Sequence, residues 1–389
     1  MTTTINNEHK ELNVPNLRFP EFQGEWEEHY LSDYLDFKNG LNPKPDKFGK
    51  GIKFISVMDI LNNAIITNDC IRASVDVSEE ELQNFSVENG DMLFQRSSET
   101  LEDVGRANVY MDDKPAVFGG FVIRGKKKAE YNPLFFRYLL ASPFARKKII
   151  PMGAGAQHFN IGQEGLSKVK LNFASLGEQN KIAKLMLAID ERISTQNKII
   201  DKLQSLIKGI SNKIFESLQG QECRLGDIAT ITNGNSNVQD AVTEYRDDLY
   251  PFFDRSEEIK YLPTFLFDKE AIIYPGEGAD FFPRYINGKF ALHQRCYAIF
   301  DFNKAVNPQF LYCFLKTQNS YFIRNAVGST VPSLRLDTFQ KLKVIVPSKK
   351  TQSIVSSLLF TLEKKHNSEK MLLQTLLKQK QYLLRQMFI

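Results

Sequence analysis

Several residue sets in this 389-residue chain have the types and spacing for chemistry. Asp254, Glu258 and Lys260 follow a D…ExK order, with which nucleases hold a divalent cation beside a phosphate. That order is common by chance and here falls in a charged loop, so no nuclease centre is expected. Asn132 and Pro133 open YNPLFF, near the Asn/Asp-Pro-Pro-aromatic tetrapeptide of adenine-amine methyltransferases. One proline is present and no FxGxG cofactor strand accompanies it, which argues against methyl transfer by this chain. Cys70, Cys223, Cys296 and Cys313 form no CxxC pair and the five histidines are scattered, so no structural zinc is expected. Gly153 and Gly155 lack the GxGxxG spacing of a phosphate cradle and read as a turn.

What remains are polar side chains on loops, and loops need a frame. Hydrophobic residues make up 42% of the chain, a globular composition long enough for two or three cores. The net charge of +4 permits nucleic-acid contact without demanding it. MTTTINNEHKELN is polar, no run has the ~20 uninterrupted apolar residues of a membrane span, and a reducing, cytoplasmic setting is expected.

The frame is written twice. SLGEQNKIAKLMLAID from Ser175 and SKKTQSIVSSLLFTLE from Ser348 both follow a strand-like run and lead into a lysine-rich segment. Apolar positions Ile182, Leu185, Ile189, Ile193, Ile200, Leu203, Ile207, Ile210 and Ile214 step by threes and fours with Gln196 between, a helix with one coiled-coil seam. A constant offset of 173 residues gives Val355, Leu358, Leu362, His366, Glu369, Leu373, Leu376, Lys380, Leu383 and Met387. Gln179 and Gln352 match at the same offset. Each helix of roughly 40 residues would be about 60 Å long. A stripe so narrow needs a partner, and the two helices suit one another as an antiparallel pair. Polar seam residues Gln196, Glu369, His366 and Lys380 read as solvated positions or as register devices.

The globular segments repeat as well. YLSDYLDFKNG from Tyr30 matches RLGDIATITNG from Arg224, each a strand entering an Asn-Gly turn. NPLFFRYLL from Asn132 and NPQFLYCFL from Asn307 open helices with proline in the first turn. The expected fold is α+β: two globular mixed α/β domains separated by two long antiparallel helices forming a coiled coil, a pseudo-twofold internal duplication. Duplex DNA has a matching backbone symmetry. A helical scaffold joining two proteins without DNA would suit the same plan.

The chain resembles the specificity subunit of type I restriction-modification systems. The likeness runs from NLRFPEFQGEWEEHYLSDY through GDMLFQRS at Gly90 to the final helix, and includes the twice-built strand, Glu/Thr-Gln and long helix. It implies a polar tail over residues 1–20, a first target recognition domain over 21–174, a helical spacer over 175–219, a second recognition domain over 220–347 and a second spacer over 348–389. Each recognition domain would read one half of a split double-stranded DNA site. Two modification (methyltransferase) subunits would bring S-adenosylmethionine, and restriction (translocase/nuclease) subunits ATP and Mg; this chain would bind no cofactor and catalyse nothing. YPGEGADFF from Tyr274 departs from the pattern by lacking the pair at Arg96 and Ser97, and Lys350-Thr351-Gln352 lacks the acid before Gln.

Base edges are read by side chains that fork or bridge, and phosphates by cations, hydroxyls and amides. On loops beside strand ends these are Arg96, Ser97, Ser98, Arg106, Gln157, His158 and Asn160 in the first domain. In the second they are Arg284, Tyr285, His293, Arg295, Ser329, Thr330, Ser333 and Arg335. Lys126 to Lys128 read as a solvated turn, Arg146 to Lys148 as nearer the glycine loop, and Trp26 as a core anchor.

Overall fold

The computed structural model describes residues 13–389. It divides into two compact units, one of residues up to Gln196 with Leu372–Ile389, the other Asn197–Met371. Each long helix, Leu176–Ser217 and Lys349–Gln386, gives part of its length to each unit.

In the first unit a four-stranded antiparallel sheet runs in the order Leu35–Asn39, Val122–Lys127, Met92–Gln95, Ala107–Val109. A second sheet orders Ser74–Val75, Phe48–Ile55, Ala116–Phe118 and Ser86–Val87, with its middle pair parallel. A ribbon of Glu27–Tyr30 with Lys170–Phe173 ties the start of the domain to the strand before the long helix. The second unit repeats the ribbon as Gln221–Arg224 with Lys343–Val346. Its six-stranded sheet begins Thr230–Asn233, Cys296–Phe300, Phe267–Pro275, Arg284–Leu292, the same order as the first, and continues through Tyr250–Phe253 and Lys260–Leu262. The Asn-Gly turns are fixed by close backbone approach: a Cβ on Gly40 would lie 2.1 Å from the Gly119 carbonyl oxygen, and one on Gly234 2.0 Å from that of Leu292.

The duplicated glutamine joins each long helix to its domain. Gln179 Oε1 accepts from the Asn132 N–H (3.0 Å) and its Nε2 donates to the Ala174 carbonyl (2.8 Å). Gln352 does the same with the Asn307 N–H (2.7 Å) and the Pro347 carbonyl (2.9 Å), adding the Ala305 carbonyl (2.9 Å). Asn132 and Asn307 then cap the helices Pro133–Ala141 and Pro308–Lys316 with their side chains. A free N–H left by the helix start is thereby satisfied in each copy.

Within each unit the two helical stretches run antiparallel. In the first, Trp26 donates to Glu178 (3.2 Å) while its ring meets Phe388 edge-on, and farther along Lys380 reaches Asp190 at 2.6 Å. In the second, Phe215 lies against Phe310, beside the Gln352 junction, and Ile207 and Lys208 share a cavity wall with Glu363 and His366. Trp26, Phe135, Ile182, Met186, Ile189, Leu383 and Met387 belong to one core, and Phe310, Cys313, Val355 and Leu359 anchor its counterpart.

The seam holds in phase with one displacement. Ile182, Ile189, Ile200, Val355, Leu376 and Leu383 are buried, and Leu185, Leu203, Ile207, Ile210, Leu362 and Leu373 half-buried. Leu358, expected in the seam, is 45% exposed and its neighbour Leu359 is 2% exposed. Met186, at the matching place, is likewise the fully buried residue beside Leu185. Near its start each helix also packs on its own domain, which rotates the buried face by one residue. Of the polar seam positions, Lys380 makes a contact across the pair, to Asp190, which also takes the Tyr138 hydroxyl (2.8 Å) and Arg137 (3.3 Å); Glu369 pairs along its own helix with Lys365 (2.5 Å), and the His366 Nε2 is buried without a hydrogen bond.

Residues 1–12 of the expected tail lie outside the described residues. Its remainder is bound into the first unit, with the Leu17 N–H donating to the Gln386 carbonyl (2.8 Å) and Arg18 forking onto Glu178 (2.8 and 2.7 Å). All four cysteines are free, and no described helix is long and apolar enough to cross a membrane.

Candidate nucleic-acid interface

Six of the seven residues expected in the first domain meet at one junction. Arg96 leaves the strand Met92–Gln95 with its N–H on the Phe121 carbonyl (2.9 Å) and its Nη1 on that of Gly120 (3.2 Å). Ser97–Ser98 pair antiparallel with Phe159–Asn160, and the Ser97 hydroxyl donates to Asn160 Oδ1. Ala154 and Asn160 exchange backbone hydrogen bonds (2.9 and 2.8 Å), closing a hairpin with Gln157 and His158 exposed at its tip. Gly155 makes that turn at φ +145°, where a Cβ would sit 2.0 Å from the His158 carbonyl oxygen. The expected glycine turn is thus a tight hairpin that presents polar side chains.

The second domain builds the same junction from different residues. Gly276 takes the place of Arg96: its N–H donates to the Arg295 carbonyl (2.9 Å), and its own carbonyl accepts from Leu334 (2.8 Å) as that of Arg96 accepts from Ile161 (2.9 Å). Glu277 bridges to Ser333, and Val327 and Ser333 close a hairpin at 2.8 Å both ways, with Gly328 at φ +100° and Ser329 and Thr330 at the exposed tip. The equivalences are Arg96 to Gly276, Ser97 to Glu277, Asn160 to Ser333 and Phe121 to Arg295. Arg295 Nη1 lies 2.9 and 3.0 Å from the two Glu277 oxygens. The same backbone frame therefore presents Arg96, Ser97 and Phe121 in one domain and an arginine-carboxylate pair in the other.

Two expected contacts in the second domain are half-buried and engaged in packing, Arg284 also lining a cleft with Glu277. Arg284 donates to the Asp254 carbonyl (2.5 Å) and stacks on Phe253, and burial lowers its pKa. The Tyr285 hydroxyl hydrogen-bonds Glu270 and its ring packs on Tyr312 and Phe360, with burial raising its pKa. Sequence alone gave these residues loop roles because it could not place strand Arg284–Leu292. His293 stands at the junction, its Nδ1 accepting from the Arg295 N–H (3.2 Å), and burial lowers its pKa, favouring the neutral ring. Arg335 is exposed one residue beyond Leu334.

Arg106 stands apart from the first junction, paired with Asp103 (2.6 Å) at a cavity also lined by Arg137 and Arg146. Arg146 holds the Glu102 and Val104 carbonyls (2.8 and 2.6 Å), and burial beside the Arg106 charge brings its pKa down to about 10. Lys126 and Lys128 pair with Glu88 (2.6 Å) and Asp36 (3.3 Å), the behaviour of a solvated turn. Asp254 accepts from the Ser256 N–H and hydroxyl and from Lys260 (2.8, 2.5 and 2.7 Å), so its carboxylate is engaged in a turn. Phe121 and Glu277 went unnoticed in the sequence. The signal for Phe121 is the pairing of GGF before strand Val122–Lys127 with HQR before strand Cys296–Phe300, and for Glu277 that of QRS from Gln95 with PGE from Pro275.

A domain frame used twice, with a hairpin junction of differing side chains and a long helix after each copy, defines an internally duplicated two-domain protein. Residues 23–205 and 220–378 each match the type I restriction modification DNA specificity domain, and the chain belongs to that family. It is similar to the putative type I restriction enzyme MjaX specificity subunit of Methanocaldococcus jannaschii, 27% identical over 53% of this chain and 49% of that protein. It is also similar to the type I restriction enzyme EcoDI specificity subunit of Escherichia coli, 30% identical over 36% of this chain and 30% of that one. The matched stretch thus spans about half, or less, of those relatives. In fold it resembles the crystal structure of the type I restriction-modification S subunit from M. genitalium, with TM-score 0.64 at 18% identity, covering 97% of this chain and 99% of that one.

Proposed function

We propose that this chain is the DNA-reading specificity subunit of a type I restriction-modification complex. Each globular domain reads one half of a bipartite duplex site, and the long helices set the gap and dock two modification subunits. The observation that carries this reading is the junction built twice on one frame with unlike side chains, which suits two unlike tracts. Membership of the DNA specificity family favours it over a scaffold that ignores DNA. The chain itself catalyses nothing; S-adenosylmethionine acts on the modification subunits, ATP and Mg on the restriction subunits, and the complex works in the cytoplasm. At the junctions, Arg96, Ser97, Ser98, Gln157, His158 and Asn160 face one tract, and His293, Arg295, Ser329, Thr330, Ser333 and Arg335 the other.

The test is exchange of residues 30–170 for the corresponding domain of another family member, followed by sequencing of modified adenines. One half of the methylated site should change and the other persist. A change in both halves, or binding that is neither sequence-selective nor salt-sensitive, would overturn the proposal.

A further inference from the structure

Beside the first junction lies a cleft of about 570 Å³, walled by Leu41, Phe48, Phe54, Met58 and Phe121, with Ser97 at its edge. Phe121 is 68% exposed, Met58 61% and Phe48 41%. Phe121 is held in this position by the backbone around it. Phe118 and Val122 on either side are fully buried, and Arg96 bonds the carbonyls of both Gly120 and Phe121. A Cβ on Gly119 would come within 2.6 Å of the Phe54 ring, and one on Gly120 within 2.0 Å of Asn42 Oδ1, so the turn is packed on both sides. The ring therefore projects from a fixed turn.

The segment beside this apolar surface carries a small excess of positive charge, three lysines against Asp46 and Asp76, and its charged side chains stand outside the cleft lining. Lys44, Lys47 and Lys50 are exposed in the segment that carries Phe48, and Lys47 and Lys50 share one carboxylate, Asp76, at 3.8 and 3.6 Å. Arg96 is half-buried beside Ser97, with its Nη1 on the Gly120 carbonyl. An apolar floor with a neighbouring segment of excess positive charge suits a base with its flanking phosphates better than an apolar peptide segment. The apolar group that DNA displays in its major groove is the thymine C5-methyl.

We propose that Phe121, with the cleft behind it, reads the C5-methyl group of a thymine in the first domain's half-site. This rests on the DNA-reading function proposed above. The second domain has Arg295 at the equivalent position and has no such preference there.

The test uses the chain assembled with its modification subunits and duplexes carrying its own site, identified from the modified adenines. Each thymine is replaced singly by deoxyuridine, which lacks the methyl. At one thymine of the first half-site the wild-type complex should bind about fourfold more weakly, the factor for withdrawing one buried methyl group. Phe121→Ala should bind both duplexes equally, and Phe121→Leu should retain part of the difference. Uracil sensitivity that survives in Phe121→Ala would overturn the inference. So would a Phe121→Ala complex that binds weakly although no thymine is uracil-sensitive, the behaviour of a wedge between base steps. Wild-type binding without sequence selectivity would instead overturn the DNA-reading function itself, so the two failures are distinguishable.

Discussion

Replacing Gln352 strips three backbone groups of their partner at once. Its side chain is fully buried, accepting from Asn307 and donating to Ala305 and Pro347 at 2.7 to 2.9 Å. Ala305 is exposed and can recover water, Asn307 is half-buried, and Pro347 is buried. Leaving a buried polar group unpaired costs about 1–3 kcal/mol, so one group wholly stranded and one partly stranded give a loss of about 3 kcal/mol for Gln352→Ala. Gln179→Ala loses two bonds and should cost about 2 kcal/mol. Gln352→Met keeps most of the volume and isolates the hydrogen bonds; it should still lose about 2 kcal/mol. Urea unfolding reports the totals, and amide exchange across Asn307 and the helix Pro308–Lys316 reports whether the loss is local. If Gln352→Met unfolds like wild type, or exchange rises equally throughout the chain, the junction is not what fastens the helix to its domain.

Other perturbations have equally definite outcomes. Asp190→Ala should lower stability by about 3 kcal/mol, because it leaves Lys380 and Arg137 facing one another without their carboxylate, whereas Lys380→Met should cost less; thermal melts compare them. Burial, with the Lys370 and Lys316 charges outweighing Glu363, lowers the His366 pKa below its usual value of 6.5. The unfolded chain then binds the extra proton first, so this contribution is fully present above that value and is lost as pH falls through the folded pKa. His366→Gln should therefore flatten the pH dependence of urea midpoints below 6.5, with a smaller slope remaining from His293, whose pKa is lowered in the same direction. Glu277→Ala releases Arg295, and should strengthen DNA binding and steepen its salt dependence by about one charge, with altered methylation in the second half-site alone. Gly155→Ala puts a Cβ against the His158 carbonyl at a positive φ; it should lower stability to urea by about 1 kcal/mol or more and weaken first-half recognition, with the second half-site unaffected.

How much of this was legible beforehand differs element by element. The long helices, their phase, the glutamines at their starts and the Asn-Pro helix openings are all written at nearly constant offsets, and the structure has them at Leu176–Ser217 and Lys349–Gln386. Leu358 was misplaced because a seam read from periodicity alone omits the domain against which the first turns pack. Arg284 and Tyr285 have the residue types of a DNA contact, but their strand sends them to opposite faces, where one packs on Phe253 and the other on Tyr312 and Phe360. Phe121 has a type ordinarily buried, and its exposure follows from the turn that holds it.

The sequence by itself determined the duplication, because helical period and repeated spacing are properties of neighbouring residues. Only the tertiary structure decided the junctions. Ser97 meets Asn160, Arg96 holds the turn of Phe121, and Glu277 captures Arg295 through pairings between segments 18 to 63 residues apart. Such meetings depend on sheet register, and register is set by the packing of the whole domain rather than by the residues that meet.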